Sequence, residues 1–474
     1  MQSLLALAIA WTFVIIAIIL SENRSPVRSL AWVTVLLLLP VAGLILYLFF
    51  GRNLSNLRMI NSHQRRKIRR RERACAADVR TAGLSPAAAQ LAMVGRSLAD
   101  AQLYTGNTID IFTDGAAKMD ALAADLERAR SSIHIQYYIF EDDSTGRRIG
   151  DILMRKAAQG VKVRLIYDYI GSFSLSNRYL QTLRKAGVEV YPFFELSFRN
   201  LANRINWRNH RKIVVVDNIV AYIGGMNIAD RYTGNNYSRQ WRDTHLRMQG
   251  NIVTALQGSF LTDWSYTAGH TPEPDSDDMP SMVPPSLPGS ITGAGAQLLT
   301  AGPNRRWPNI ALAYTKAIGD ASKRVFIQTP YFLPSESLLS VLQSVALSHV
   351  DVRIMIPEQT DSHVLSYASA SYIDACLKAN IKVYMYTAGM LHSKTIIIDD
   401  DIASVGSSNF DFRSFDYNFE ANVFIYSKEF NNTLAAIFEK DLISCRRIHA
   451  TQWRHRPLHQ KALESVTRLL SPVL

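Results

Sequence analysis

The sequence predicts an α/β protein made of two copies of one fold that share a single site, carried behind a hairpin of two membrane helices. Three observations predict it. The stretches NHRKIVVVDN (209–218) and LHSKTIIIDD (391–400) both spell H-x-K-x4-D. Helical and strand-like segments recur in the same order before each copy. The chain opens on two long apolar runs, and its 474 residues leave room behind them for two full domains.

The apolar runs come first. Leu4–Leu20 and Leu30–Phe50 are nearly uninterrupted, and each is close to the roughly 20 residues that span hydrocarbon. Pro40 lies inside the second, where a membrane helix tolerates it as a kink. A cleaved signal peptide is disfavoured, because no positive residue precedes the first run and no A-x-A site follows it. Residues 1–60 are therefore expected to form two transmembrane helices at about 4–20 and 30–50.

Orientation follows from the flanking charge. The connector SENRSPVRS holds only Arg24 and Arg28, whereas Arg52–Arg73 holds nine Lys and Arg. Positive flanks stay cytoplasmic, so the bulk of the chain is expected inside. The same basic run, within an expected juxtamembrane segment at 61–106, also suits anionic lipid headgroups. A net charge of +12 extends that preference for anionic partners to the whole chain. Nucleic acid is disfavoured for a run beside a membrane span. The three cysteines are scattered without C-x-x-C spacing, which implies neither a disulfide framework nor a zinc knuckle.

The remainder divides at TPEPDSDDMPSMVPPSLPGS, whose six prolines and acidic cluster read as a surface connection. The expected domains are residues 107–270 and 297–474, joined by 271–296. In the first, the helical stretch AAKMDALAADLERAR leads to the strand SIHIQYYIF, then to the helix IGDILMRKAAQG and the strand VKVRLIYD. In the second, ALAYTKAIGDASK, RVFIQTPYF, SLLSVLQSVALS and VDVRIMIP follow in the same order. Gln136 and Gln328 hold matching places. Alternation of this kind predicts parallel-leaning sheets covered by helices.

The repeated motif carries the chemistry. Residues two apart on a strand share a face, so His210 and Lys212 point together, as do His392 and Lys394. Asp217 and Asp399 lie an odd number of positions further on and are expected to brace the motif. Six residues beyond each Asp comes GGMN or GSSN, delivering Asn227 and Asn409 on a turn of small residues. Two such sets converging on one cleft suit a phosphodiester. Lys and Asn hold the nonbridging oxygens and stabilise the growing charge. One His attacks phosphorus and the other protonates the leaving alkoxide. An unperturbed imidazole pKa of about 6.5 supplies both states at neutral pH. Asp243, in WRDTHLR after the first motif, and Glu420, in YNFEANV after the second, are candidates to orient the histidines, with ordinary ion pairing as their competing reading.

The duplicated pattern H-x-K-x4-D-x6-G-[GS]-x-N resembles the HKD signature of the phospholipase D superfamily, from about Asn107 to the end of the chain. RNHRKI, GGMNIADRY, QWRDTHLR and SSNFDFRSFDYNFE, behind a double N-terminal span, are similar to bacterial cardiolipin synthases of the phospholipase D type. The resemblance implies two phospholipase D-like α/β domains forming one active site. It implies transfer of a phosphatidyl group from one phosphatidylglycerol to another at the inner membrane, through a phosphohistidine. Carried over by position, the catalytic motif residues are His210, Lys212, Asp217, His392, Lys394 and Asp399. Asn227 and Asn409 bind the phosphate, and Asp243 and Glu420 orient the histidines. Family precedent makes the first-half His the nucleophile, while the near-symmetry of the motifs leaves that choice open.

No metal or cofactor is expected. H-x-K is not a zinc spacing, and H-E-x-x-H, GxGxxG and a P-loop are all missing from the sequence. His245 and His363 read as surface or local packing residues. Phe410, Phe412, Phe415 and Tyr417 read mostly as core. The rival functions are a hydrolase releasing phosphatidic acid, a nuclease of the same chemistry, and a membrane scaffold. Acceptor preference and oligomeric state stay open.

Overall fold

The computed structural model describes residues 11–474 apart from 18, 20, 22–25, 52–58, 81, 196–205, 235–239, 271–283 and 471–474. The chain forms two compact units, residues 1–57 with 195–207, and residues 58–194 with 208–474.

In the smaller unit, the second apolar run is not one helix. Pro26–Leu38 and Pro40–Phe50 are separate helices that meet at Leu39, whose ψ of 70° leaves the helical range. The cause is Pro40, which has no N–H to return to the preceding turn. Trp32 meets Tyr47 edge to face at 5.3 Å across the break. Among the described residues no helix is long and apolar enough to cross a membrane. The start of the first expected span, like the first half of the proline-rich linker, lies outside the described residues.

Among the described residues the larger unit is built on one sheet of fifteen strands. Its centre is the antiparallel pair Leu103–Phe112 and Ile291–Ala301. From there the first half runs outward through His245–Gln249, Val220–Gly224, Ile213–Val216, Ser132–Tyr137, Lys162–Asp168 and Glu189–Phe193. The second half mirrors it through Glu420–Tyr426, Ile402–Gly406, Thr395–Ile398, Arg324–Gln328, Asp351–Pro357 and Lys382–Tyr386, with Cys445–Arg447 added at the edge. The central strands begin before positions 107 and 297, so they reach into segments read from the sequence as connections.

The sheet is mixed and mostly antiparallel where the sequence suggested parallel-leaning sheets. Only the outer strands, such as Ser132–Tyr137 with Lys162–Asp168, pair in parallel. The motif strands Ile213–Val216 and Thr395–Ile398 turn back at once on Val220–Gly224 and Ile402–Gly406. A turn that short can only produce antiparallel neighbours. Asp217 and Asp399 sit in these turns with φ of 51° and 46°.

Each Asp carboxylate holds the turn to the neighbouring strand. Asp217 accepts from the backbone N–H groups of Arg130, Ser131 and Ser132, all at 2.8 Å, and from the Ser131 hydroxyl. Asp399 repeats the pattern with Ser322, Lys323 and Arg324. Both carboxylates are spent at the far end of the motif strand from its histidine. They accordingly touch no reacting group, although the motif signature counts them as catalytic. Asp217→Ala strands several backbone donors, and the expected loss is about 2–4 kcal/mol of stability. A urea midpoint equal to that of the native chain would contradict the bracing role.

The helices cover both faces. Each Gln that held a matching place in sequence now has a matching partner. Gln136 donates to Asp263 at 2.5 Å on Ile252–Ala268, and Gln328 to Asp441 at 2.8 Å on Lys428–Leu442. Phe410 and Phe415 pack with Tyr314 and Phe332 in the core.

Candidate active site

The H-x-K residues lie in extended backbone just ahead of the motif strands, not on them. What holds that backbone is the other half of the molecule. The His210 N–H donates to the Phe419 carbonyl at 2.9 Å, and Phe419 returns a bond to Arg208. In the second half, Met390–Leu391 pairs in parallel with Trp241–Arg242, and the His392 N–H donates to the Arg242 carbonyl at 2.7 Å.

This pairing decides which acid meets which histidine. Phe419 directly precedes Glu420, and Arg242 directly precedes Asp243. The His210 Nδ1 therefore meets Glu420 at 2.9 and 3.1 Å. The His392 Nδ1 meets Asp243 at 2.6 Å. Each orienting acid comes from the opposite half. A carboxylate can only accept, so each Nδ1 carries the proton and each Nε2 is left for substrate.

The expected alternation survives without the strand. Arg211 points away from His210 and Lys212 and forms a buried pair with Asp263 at 2.6 Å. Lys212 donates to the His210 carbonyl at 2.6 Å and lies over the Tyr138 ring. Lys394 donates to the His392 carbonyl, with its Nζ 2.8 Å from Nδ1. Tyr138 packs edge-on against His210, and Tyr232 and Trp241 pack against His392.

The small residues after the motif serve a neighbour that the sequence did not reveal. A Cβ on Gly225 would lie 2.1 Å from Asp243 Oδ1, so glycine is what lets the acid reach across. In the second half Ser407 stands at the matching position, and its hydroxyl donates to Glu420. The GG-versus-GS difference was legible in the sequence, but its partner was not. Asn227 accepts from the Ile139 N–H at 3.1 Å and donates to Tyr232 at 2.7 Å. Asn409 donates to Asp411 at 3.1 Å, and its Oδ1 has no partner among the described residues.

Burial sets the charges. It pushes the imidazoles of His210 and His392 down to about 4. The facing carboxylates oppose that shift, and the two lysines add to it. Lys394 is pushed down to about 8 by burial, and Lys212 falls well below its ordinary value for the same reason. Burial pushes Asp243 and Glu420 upward, but the nearby lysines and histidines outweigh it and hold both ionised. The site is thus two neutral imidazoles, each tied to a carboxylate and flanked by a lysine.

His245 takes the packing alternative of the sequence reading rather than the surface one. It is wholly buried, and neither ring nitrogen has a partner among the described residues. Burial, with Lys118 and Lys212 nearby, holds it well below its ordinary pKa. His363 is exposed.

A family model described as "Cardiolipin synthase, PLD-like domain" matches residues 122–264 and 314–442, more than half of the chain. The chain belongs to the cardiolipin synthases of the phospholipase D type. A second model, described as the phospholipase D-nuclease N-terminal segment, matches residues 9–52. Among curated cardiolipin synthases, the major enzyme ClsA of Bacillus subtilis is 39% identical over 97% of this chain and 96% of its own length. The cardiolipin synthase of Halalkalibacterium halodurans is also 39% identical, over 96% and 91%. A solved structure, the phosphatidylserine synthase of Haemophilus influenzae, shares the fold with a TM-score of 0.60 at 15% identity, covering 77% of this cardiolipin synthase family member and 95% of itself.

Proposed function

We propose that this site transfers a phosphatidyl group from one phosphatidylglycerol to the free hydroxyl of another, giving cardiolipin and glycerol. The observation that carries the reading is the pair of Nδ1-anchored imidazoles, one per half, each with its lysine. In the first step His210 Nε2 attacks phosphorus, and the P–O bond to glycerol breaks. His392 Nε2 gives its proton to the leaving alkoxide. The arriving phosphodiester, being negative, raises the pKa of His392 and so favours the proton that the step requires. In the second step His392 takes a proton from the hydroxyl of the second lipid, whose oxygen displaces His210 from phosphorus. Lys212, Lys394, Asn227 and Asn409 surround the phosphate and stabilise the five-coordinate charge.

Both P–N formation and P–O exchange balance without an external energy source, because one phosphodiester replaces another. The deciding assay uses purified protein with labelled phosphatidylglycerol in detergent. Cardiolipin and glycerol are the expected main products. Dominant phosphatidic acid would make the protein a hydrolase, and DNA cleavage with inert lipid would make it a nuclease.

The placement proposed is a bacterial inner membrane, multi-pass, with both phospholipase D-like halves in the cytoplasm. The two apolar runs and the nine basic residues between Arg52 and Arg73 support it. A C-terminal tag is expected to resist protease in intact spheroplasts and to be cut only after lysis. Digestion in intact cells would reverse the topology.

A further inference from the structure

The helix Leu458–Leu470 lies with the wrong face outward. Its sequence, LHQKALESVTRLL, is strongly amphipathic, and an amphipathic helix of a water-soluble surface buries its apolar stripe. Here Leu458, Leu463, Val466 and Leu469 are 82%, 46%, 58% and 81% exposed, while Glu464 and Thr467 are 3% and 9% exposed. At about 100° per residue, these positions and Ala462 fall within one arc of about 140°, which His459 alone interrupts among the described side chains.

The inward placement of the polar side is fastened. Arg456 donates to Glu464 at 2.9 Å, and the Arg468 guanidinium lies over the Tyr372 ring at 4.8 Å on His363–Lys378. The apolar arc is therefore presented outward by specific contacts on its other side.

Charge says what covers it. Between Ser444 and Leu470 the sequence holds six Lys and Arg, namely Arg446, Arg447, Arg454, Arg456, Lys461 and Arg468, against Glu464 as its one acid. Glu464 is buried against Arg456 and Arg446 pairs with Glu358, so the charge this segment adds to its surface is positive and comes from Arg447, Arg454, Lys461 and Arg468. An apolar face rimmed with cations fits the headgroup–acyl boundary of an anionic bilayer. A second copy of this helix would bring like charges together. Beside the helix opens a cavity of about 380 Å³, lined in part by Ile356, Ile373, Met385 and Ile448 with Arg446 and Arg456. It also touches Pro330 and Pro357, at the carboxyl ends of strands Arg324–Gln328 and Asp351–Pro357. Gln328 stands opposite Thr395 in register, so His392 and Lys394 enter at this same end of the sheet.

We propose that the outer face of Leu458–Leu470 is a membrane-docking surface that seats in an anionic bilayer and turns the catalytic end of the sheet toward its lipid substrate. The proposal rests on the phosphatidyl-transfer reading for its substrate, but its test does not. The full chain, with Cys75→Ser, Cys376→Ala, Cys445→Ser and Val466→Cys, is labelled with a polarity-sensitive fluorophore. It is then reconstituted in vesicles of phosphatidylcholine containing about one-third phosphatidylglycerol, a composition that supplies anionic charge.

The label is expected to shift to the blue and to be quenched by spin-labelled lipid. In the otherwise native chain, replacing Leu458, Leu463, Val466 and Leu469 by Ser is expected to lower cardiolipin formation from vesicles roughly tenfold or more. Turnover of short-chain substrate dispersed in detergent should stay within about twofold, since none of these side chains belongs to the site described above. A label that stays in water would overturn the proposal, as would quenching that grows with protein rather than lipid, the mark of a second copy. A quenched label on a protein that makes no cardiolipin would leave the surface standing and remove the function.

Discussion

His210→Ala and His392→Ala are each expected to lower cardiolipin formation by at least roughly a thousandfold, with the double variant little worse than either single, as for residues acting as a unit. The halves look alike, yet the two losses differ in kind. Without its nucleophile the protein cannot form a covalent adduct. Without its acid it can still form one from a substrate whose leaving group needs no proton, such as a nitrophenyl phosphodiester. An acid-labile phosphoenzyme is therefore expected in His392→Ala and not in His210→Ala. The opposite outcome would exchange the two roles. Adduct in both single variants would remove the single-histidine mechanism altogether.

Asp243→Asn and Glu420→Gln are expected to cost about 10²- to 10⁴-fold each, with effects that cross between the halves. Asp243 holds His392 Nδ1, so Asp243→Asn weakens the acid and leaves the nucleophile in place. The adduct with a nitrophenyl substrate should still form. Glu420 holds His210, so Glu420→Gln should suppress that adduct. The pH dependence separates them further. The Asp243 carboxylate raises the His392 pKa against burial. Removing its charge lowers that pKa, so the alkaline limb of kcat/KM, which requires protonated His392, moves to lower pH. Were each acid instead serving the histidine of its own half, Asp243→Asn would be the variant that blocks adduct formation.

The same pairing explains why neither half is a complete site. Each histidine takes both its backbone partner and its carboxylate from the other half, through Phe419–Glu420 and Arg242–Asp243. The shared core around the central strands makes the exchange rigid.

The sequence by itself determined the duplication, the identity of the motif residues and the bracing Asp. These are legible because they rest on local rules: side-chain alternation in extended chain, spacing, and a turn that an Asp can tie down. The family followed from the same residues. The sequence could not show that the motif strands fold back antiparallel, since that depends on a turn at Asp217 and Asp399 in a left-handed conformation. Nor could it show that the second apolar run breaks at Leu39, or that His245 is buried. Above all it could not assign Glu420 to His210 and Asp243 to His392. Each acid follows the motif of its own half in the chain, and spacing suggests that partner. The partner is chosen instead by backbone hydrogen bonds between segments roughly 150 to 210 residues apart, a separation at which only packing of the two halves brings groups together.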